Sequence, residues 1–313
     1  MTGSAERLVK QIETLKSLRF GVEIETVGLG RDAVAAAVHS VVGGNVSYTD
    51  VYTTDGRCWK VVYDGSIGDR GAEIVTPILN YADIETLQDV VRAVRRAGAQ
   101  VDESCGIHIH VDAAAFKAAP KKLQRLVKLV HRQEDLIMAA LEVSGSRKER
   151  YCRKMADDFA DRIGRRAVSS LRTLNQAWYG SFTPSASKYH SSRYHGLNLH
   201  AVWYLGTVEF RYFNGTLHAG RIKAYVQFCL AVCAKALTMA GAFHGDHAYN
   251  AETGKYDMRI FLLRLGLRGA EFETCRRHML AHLKGCRSRG RVARSHRVAV
   301  DSDSNGYQTG VAA

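Results

Sequence analysis

Gly106-Ile-His-Ile-His-Val-Asp112 is the stretch that decides the fold class. Successive side chains of a strand point to opposite faces, so residues two apart share one. Ile107, Ile109 and Val111 then form an apolar face, and His108, His110 and Asp112 the opposite one. The same period runs through Arg19-Phe-Gly-Val-Glu-Ile-Glu-Thr-Val27, where Val22 and Ile24 oppose Glu23 and Glu25. It recurs in 207–212, where Val208, Phe210 and Tyr212 oppose Glu209 and Arg211, and in 194–200, where Leu197 and Leu199 oppose Asn198 and His200. Cys58–Asp64 and Ala72–Thr76 read as strands flanking a turn-rich loop, 65–71, and they carry Asp64 and Glu73.

Helical patterns surround these strands. Leu8, Ile12 and Leu15 place a short amphipathic helix over 1–18. Further helices are predicted over Ala33–Val42, from Asp83 to Arg96, from Pro120 to about Glu142, and over an arginine-rich segment from Arg147 to about Leu171. An apolar helix follows at 219–241, with two short ones at about 256–266 and 270–284. The segments 44–57, 180–192 and 242–254 read as loops. Strands and helices alternate without a Gly-rich strand-to-helix turn, so a nucleotide-binding parallel fold is not supported. The expectation is one α+β domain over 19–283, preceded by the 1–18 helix as a cap and followed by a basic, disordered tail, 284–313.

Composition narrows the classes. In 313 residues, 46% hydrophobic content and only 3 prolines exclude a disordered or collagen-like chain. Lys+Arg 44 against Asp+Glu 31 gives +13, which attracts polyanions without specifying a fold. Six of those cations and no acid lie in 284–297, a candidate nucleic-acid arm or a solubilising tail. Seven scattered cysteines without a C-x-x-C pair imply neither a disulfide framework nor a zinc ribbon, and a cytoplasmic setting is expected. The apolar run from Ala224 to Phe243 holds Gln227, Lys235 and Thr238, and reads as a buried core helix rather than a membrane span.

The polar faces of the strands are unusual in content. A solvent face commonly carries Thr, Lys, Ser and Gln, and a lone Glu-x-Glu usually belongs to one. Here the pairs are Glu/Glu, His/His, Asn/His and Glu/Arg, all in one domain. Glu23, Glu25, Glu73 and Glu209 on one face would repel one another strongly unless cations lay between them. Carboxylates with one or two imidazoles suit Mg²⁺ or Mn²⁺, two or more ions. An arginine beside them can bind a phosphate and neutralise charge as a phosphoryl group transfers.

Phe20-Gly-Val-Glu-Ile-Glu25, Asp64-Gly-Ser-Ile with Glu73-Ile-Val-Thr-Pro77, Gly106-Ile-His-Ile-His-Val111, Arg193-Tyr-His-Gly-Leu-Asn198 and Val208-Glu-Phe-Arg-Tyr-Phe-Asn-Gly-Thr216 occur in that order. Together, over about 19–240, they resemble the amidoligase family of the glutamine synthetase-like carboxylate–amine ligase superfamily. The resemblance implies a curved, mostly antiparallel sheet with a polar concave active-site face and helices packed on the other. It implies an ATP-dependent ligase that turns a carboxylate into an acyl phosphate, captured by an amine to give an amide or peptide bond. Its substrates would be a carboxylate and an amine on a peptide, protein or small amino-acid-like molecule.

Position by position, the resemblance makes Glu23, Glu25, Glu73, His108 and Glu209 metal ligands. It sets His110 beside the ATP phosphates and Arg211 on the transferring phosphoryl group. Asp64, Arg193 and Asn198 would serve the carboxylate substrate or the acyl phosphate. The chain has no counterpart of the N-terminal sheet domain with which glutamine synthetase builds sites between subunits, so sites shared around a ring are not expected. Three other readings stay open: a guanidino or carboxylate kinase on the same fold, a metal-dependent hydrolase built on His108-x-His110, and a basic nucleic-acid-binding protein.

Overall fold

The structure is a computed structural model that describes residues 2–65, 67–68, 71–165, 170–241 and 249–285. The basic segment beyond 285 and the tail to 313, residues 242–248 of the predicted loop, and 166–169 of the arginine-rich segment lie outside the described residues. The strands are β1 (Phe20–Thr26), β2 (Asn45–Ser47), β3 (Asp50–Tyr52), β4 (Cys58–Val62), β5 (Ala72–Val75), β6 (Gly106–Asp112), β7 (Leu197–Asn198) and β8 (Thr207–Asn214). They form one open sheet in the order β2-β3-β4-β5-β1-β6-β8-β7, antiparallel at every junction. An antiparallel sheet can keep one face dry and the other polar, which the alternation requires.

The dry face holds Val22, Ile24, Ile107, Ile109, Val111, Val208 and Phe210, all buried. The helices are α1 (Thr2–Ser17), α2 (Arg31–Val42), α3 (Ile84–Arg96), α4 (Ala114–Ala118), α5 (Pro120–Ala140), α6 (Gly145–Arg150), α7 (Asp157–Arg165), α8 (Leu171–Tyr179), α9 (His200–Tyr204), α10 (Ala219–Thr238), α11 (Gly254–Arg264) and α12 (Glu273–Met279). The apolar α10 is the hub of this layer, packed against β6, α1, α3, α5 and α12. Lys235, its one central cation, reaches Gln11 Oε1 of α1 at 3.4 Å. Among the described residues no helix is long and apolar enough to cross a membrane.

Three local expectations differ from the structure, each for a non-local reason. The arginine-rich helix is broken after Arg150. Residues 151–156 run beside 194–196 instead, with Arg153 N–H donating to Tyr194 O and Gly196 N–H to Arg153 O. That path buries Cys152 and Met155. The predicted strand 193–200 shrinks to Leu197–Asn198, because the Asn198 side chain accepts the His200 N–H at 2.9 Å and turns the chain into α9. The segment 44–57, read as a loop, holds β2 and β3. All three residues of β2 are exposed, so no apolar alternation announces it.

Glu134 of α5 ties the helical layer to the sheet. It is fully buried, accepting Tyr212 O–H at 2.7 Å and Met155 N–H at 2.9 Å. Burial outweighs these two donors and pushes its pKa up to about 7. The folded protein therefore holds this proton more tightly than the unfolded chain. Its contribution to stability is fully present below the ordinary glutamate pKa and is lost as pH rises through about 7. Glu134→Gln has no such titration. Urea unfolding of both proteins at about pH 5 and about pH 8 should show the wild type losing roughly 3 kcal/mol relative to the variant. Parallel pH profiles would contradict this.

Candidate active site

Strand register assembles the polar face. Glu23 of β1 stands opposite His108 of β6, Glu25 opposite Glu73 of β5, and His110 opposite Glu209 of β8. Asn198 of β7 stands on the other side of Glu209. These residues line a cleft of about 750 Å³, together with Asp64 just beyond β4, and Arg193 and Arg211. All ten site residues expected from the sequence therefore meet in one cavity.

The contacts are close. His108 Nδ1 lies 2.9 Å from Glu23 Oε2, and His110 Nε2 lies 3.3 Å from Glu23 Oε1. Both histidines stand 3.9 Å from Glu209 Oε1. Arg211 Nη1 donates to Glu209 Oε1 at 2.6 Å, and Asn198 Nδ2 donates to Glu209 Oε2 at 2.6 Å. Glu25 Oε2 accepts the Gly106 N–H at 2.6 Å. Aligning Glu209 and Arg211 involves an irregularity in the ladder. Ile107 pairs with Phe213 but Ile109 with Phe210, so β8 carries one residue more than β6 between these pairs.

Electrostatics separates the acids. Burial would raise the pKa of Glu23, but the charge of His110 and the hydrogen bond and charge of His108 hold it well below the usual glutamate range. Burial also opposes ionisation of Glu209, and Arg211, His110 and His108 outweigh it. Glu73 is shifted the other way. Burial, reinforced by the charges of Glu23, Glu25 and Asp64, pushes it up to about 9. His110 is pushed up to about 8, because Glu23 and Glu209 overcome the burial that favours the neutral ring.

The donor set fits divalent cations. Ligand atoms of Glu23, His110 and Glu209 lie within 4.8 Å of one another, as do those of Glu23, Glu73 and His108, and of Glu25, Asp64 and Glu73. His110 Nδ1 is engaged by Thr207 Oγ1 at 3.0 Å, while its buried Nε2 faces two carboxylates without a hydrogen bond. When Nδ1–H donates to Thr207, Nε2 presents a lone pair, the tautomer a metal needs. The sequence motifs set Asp64 apart from the metal ligands, whereas the structure groups it with Glu25 and Glu73.

Basic and aromatic residues line the same cleft. Arg193 lies between the rings of Tyr189 and Tyr194, 5.7 and 4.9 Å from their centroids. Arg147, Tyr151 and Lys188 also line the cleft. None of these three is singled out by the sequence: Lys188 sits in a segment read as a polar loop, and Arg147 and Tyr151 in an arginine-rich one that reads either as a solvated helix face or as a rim admitting ATP or an anionic second substrate. A run of arginine and tyrosine in 147–153 is the local trace of Arg147 and Tyr151.

The sequence matches the family described as "Putative amidoligase enzyme" over residues 16–233, a span that contains every strand of the sheet and all ten site residues. The chain belongs to the amidoligase family. No curated protein matches the sequence. Among solved structures, a bifunctional glutathione synthetase from Pasteurella multocida aligns at 13% identity and TM-score 0.44 over 97% of this chain, which spans only 52% of that one. A novel glutamine synthase homolog aligns at 10% identity and TM-score 0.39, over 97% of this chain and 72% of its own. Both likenesses are too distant to add to the family assignment. In this amidoligase the matched region ends inside α10, so the helical layer beyond it is outside the shared part.

Proposed function

We propose that this amidoligase is ATP- and Mg²⁺-dependent and joins a carboxylate to an amine through an acyl phosphate. The observation that carries the reading is the sheet face itself: four glutamates and two histidines in overlapping three-residue groups, with Arg211 seated on Glu209. Glu23, His110 and Glu209 would hold one ion, Glu23, Glu73 and His108 a second, and Glu25, Asp64 and Glu73 a third. Bound Mg²⁺ would neutralise and polarise phosphate oxygens in the cleft.

The carboxylate substrate attacks the γ-phosphorus, a P–O bond forms, and the bond to ADP breaks. The amine then attacks the acyl carbon, its nitrogen losing a proton as the C–N bond forms and inorganic phosphate leaves. Activation is required because a carboxylate is a poor electrophile. Arg211 offers the transferring group a fixed cation, already oriented by Glu209. Asn198 holds the other oxygen of Glu209 and so fixes that carboxylate from both sides. Arg193, over the rings of Tyr189 and Tyr194, would receive the anionic acid or acyl phosphate.

Incubation with ATP, Mg²⁺, a panel of amino acids and peptides, and hydroxylamine tests this. ADP release with a hydroxamate is the expected result, since hydroxylamine captures an acyl phosphate. Acid-dependent ADP release without hydroxamate would instead mark a kinase. Substrate turnover without ATP would mark a hydrolase.

A further inference from the structure

Arg147 is a cation buried to 2% exposure with no carboxylate partner among the described residues. Leaving a charge in that state is unfavourable unless its donors are otherwise engaged. Its guanidinium donates from Nη1 to Cys105 O at 3.3 Å and from Nη2 to Arg211 O at 3.2 Å. It therefore spans the entrance of β6 and the middle of β8, across the irregular stretch of the ladder. Beneath it lies Gly106. A Cβ on that residue would stand 2.4 Å from Nη1 and 2.7 Å from Cζ, so the guanidinium occupies the space a side chain would need. The same Gly106 donates its N–H to Glu25. On the other side, the turn that carries Arg147 also supplies Tyr151 O, which accepts Arg211 Nε at 3.3 Å.

We infer that Arg147 is a positioning residue: its fork sets Gly106 beneath Glu25 and the backbone of Arg211, and so aligns the carboxylate end of the cleft with its phosphate-facing arginine. The inference rests on the reading of Glu25 and Arg211 given above. It distinguishes geometry from charge. A lysine keeps the cation but is a point donor that cannot bridge two carbonyls as a planar fork does. The substitution Gly106→Ala keeps the arginine but evicts it from its seat.

Two variants, Arg147→Lys and Gly106→Ala, are titrated with Mn²⁺ by calorimetry and by the spin-resonance signal of free Mn²⁺, with thermal melts as a folding control. Partners that orient metal ligands contribute roughly 10–100-fold in affinity. Both variants should weaken Mn²⁺ binding at one class of sites by about tenfold or more. Both should also lower kcat for ATP consumption about tenfold, with KM for ATP moving less than about threefold. Wild-type Mn²⁺ affinity in either folded variant overturns the inference, as does a lower melting temperature with unchanged affinity and kcat. If the wild type consumes no ATP under any condition, the proposed reaction fails, while the Mn²⁺ titration still decides the role of Arg147.

Discussion

Glu23→Gln should remove two of the three candidate metal groups in one substitution. Glu23 belongs both to the group with His110 and Glu209 and to the group with Glu73 and His108, whereas the group of Glu25, Asp64 and Glu73 does not include it. Glutamine preserves the shape of the side chain and removes its charge and one acceptor. Mn²⁺ stoichiometry should therefore fall while the third group keeps its ion. Losing a single preorganised stabiliser of transition-state charge commonly reduces kcat by about 10²–10³-fold. With two groups lost together, ATP consumption should drop at least about 10³-fold. Folding should survive, because two effects oppose each other in the metal-free protein. The variant loses the contacts of Glu23 with His108 and His110, and it relieves the pressure of the Glu23 charge on Glu73. Melting in EDTA should then stay close to wild type, and Glu85→Gln on the exposed face of α3 should change neither measurement. Full Mn²⁺ stoichiometry in folded Glu23→Gln would remove the basis for the assignment.

The parts of this site that were legible in the sequence are those that obey a local rule. Period-two alternation in β1, β6 and β8 is a property of five to eight consecutive residues, so Glu23, Glu25, His108, His110 and Glu209 could be placed on one face before any partner was known. Their neighbours could not. That Glu23 faces His108 and His110 faces Glu209 depends on the order β5-β1-β6-β8, a matter of pairing across more than eighty residues. Asp64 stands outside β4, and no periodicity relates it to Glu25; only the pairing of β4 with β5 brings it beside Glu73. Arg147 was hidden for the opposite reason. Nine basic residues in 147–172 look like a solvated face, and Arg147, the buried one among those described, is distinguished only by its contacts with the carbonyls of Cys105 and Arg211, far away in sequence. The aligned chemistry was a strand property; the basic lining belongs to long-range packing.

Metal affinity should rise steeply with pH across neutrality. In the metal-free protein Glu73 is pushed up to about 9, by burial first and then by the charges of Glu23, Glu25 and Asp64. His110 is pushed up to about 8 by Glu23 and Glu209 against the effect of its burial. At about pH 7 both groups hold a proton, and both must lose it to serve as ligands. Each proton released makes the apparent association constant rise about tenfold per pH unit below the corresponding pKa. His110 and Glu73 belong to different groups, so Mn²⁺ at each site should bind about tenfold more tightly per unit of pH near neutrality, and the product over both sites should rise on the order of 100-fold. The dependence of that product should fall to about tenfold per unit above the pKa of His110, and vanish above that of Glu73. Glu73→Gln should remove one proton from the balance. Calorimetry in buffers of different ionisation enthalpy counts the protons directly, and a release near zero at neutral pH would refute the assignment. The stability of the metal-free protein should run the other way. Both pKa values are raised on folding, so both groups contribute fully below their unfolded values. The contribution of His110 is lost as pH rises through about 8, and that of Glu73 as it rises through about 9. Above neutrality the metal-free protein should therefore weaken, and saturating Mg²⁺ should restore it, because the ions take over the charge that the two protons had balanced.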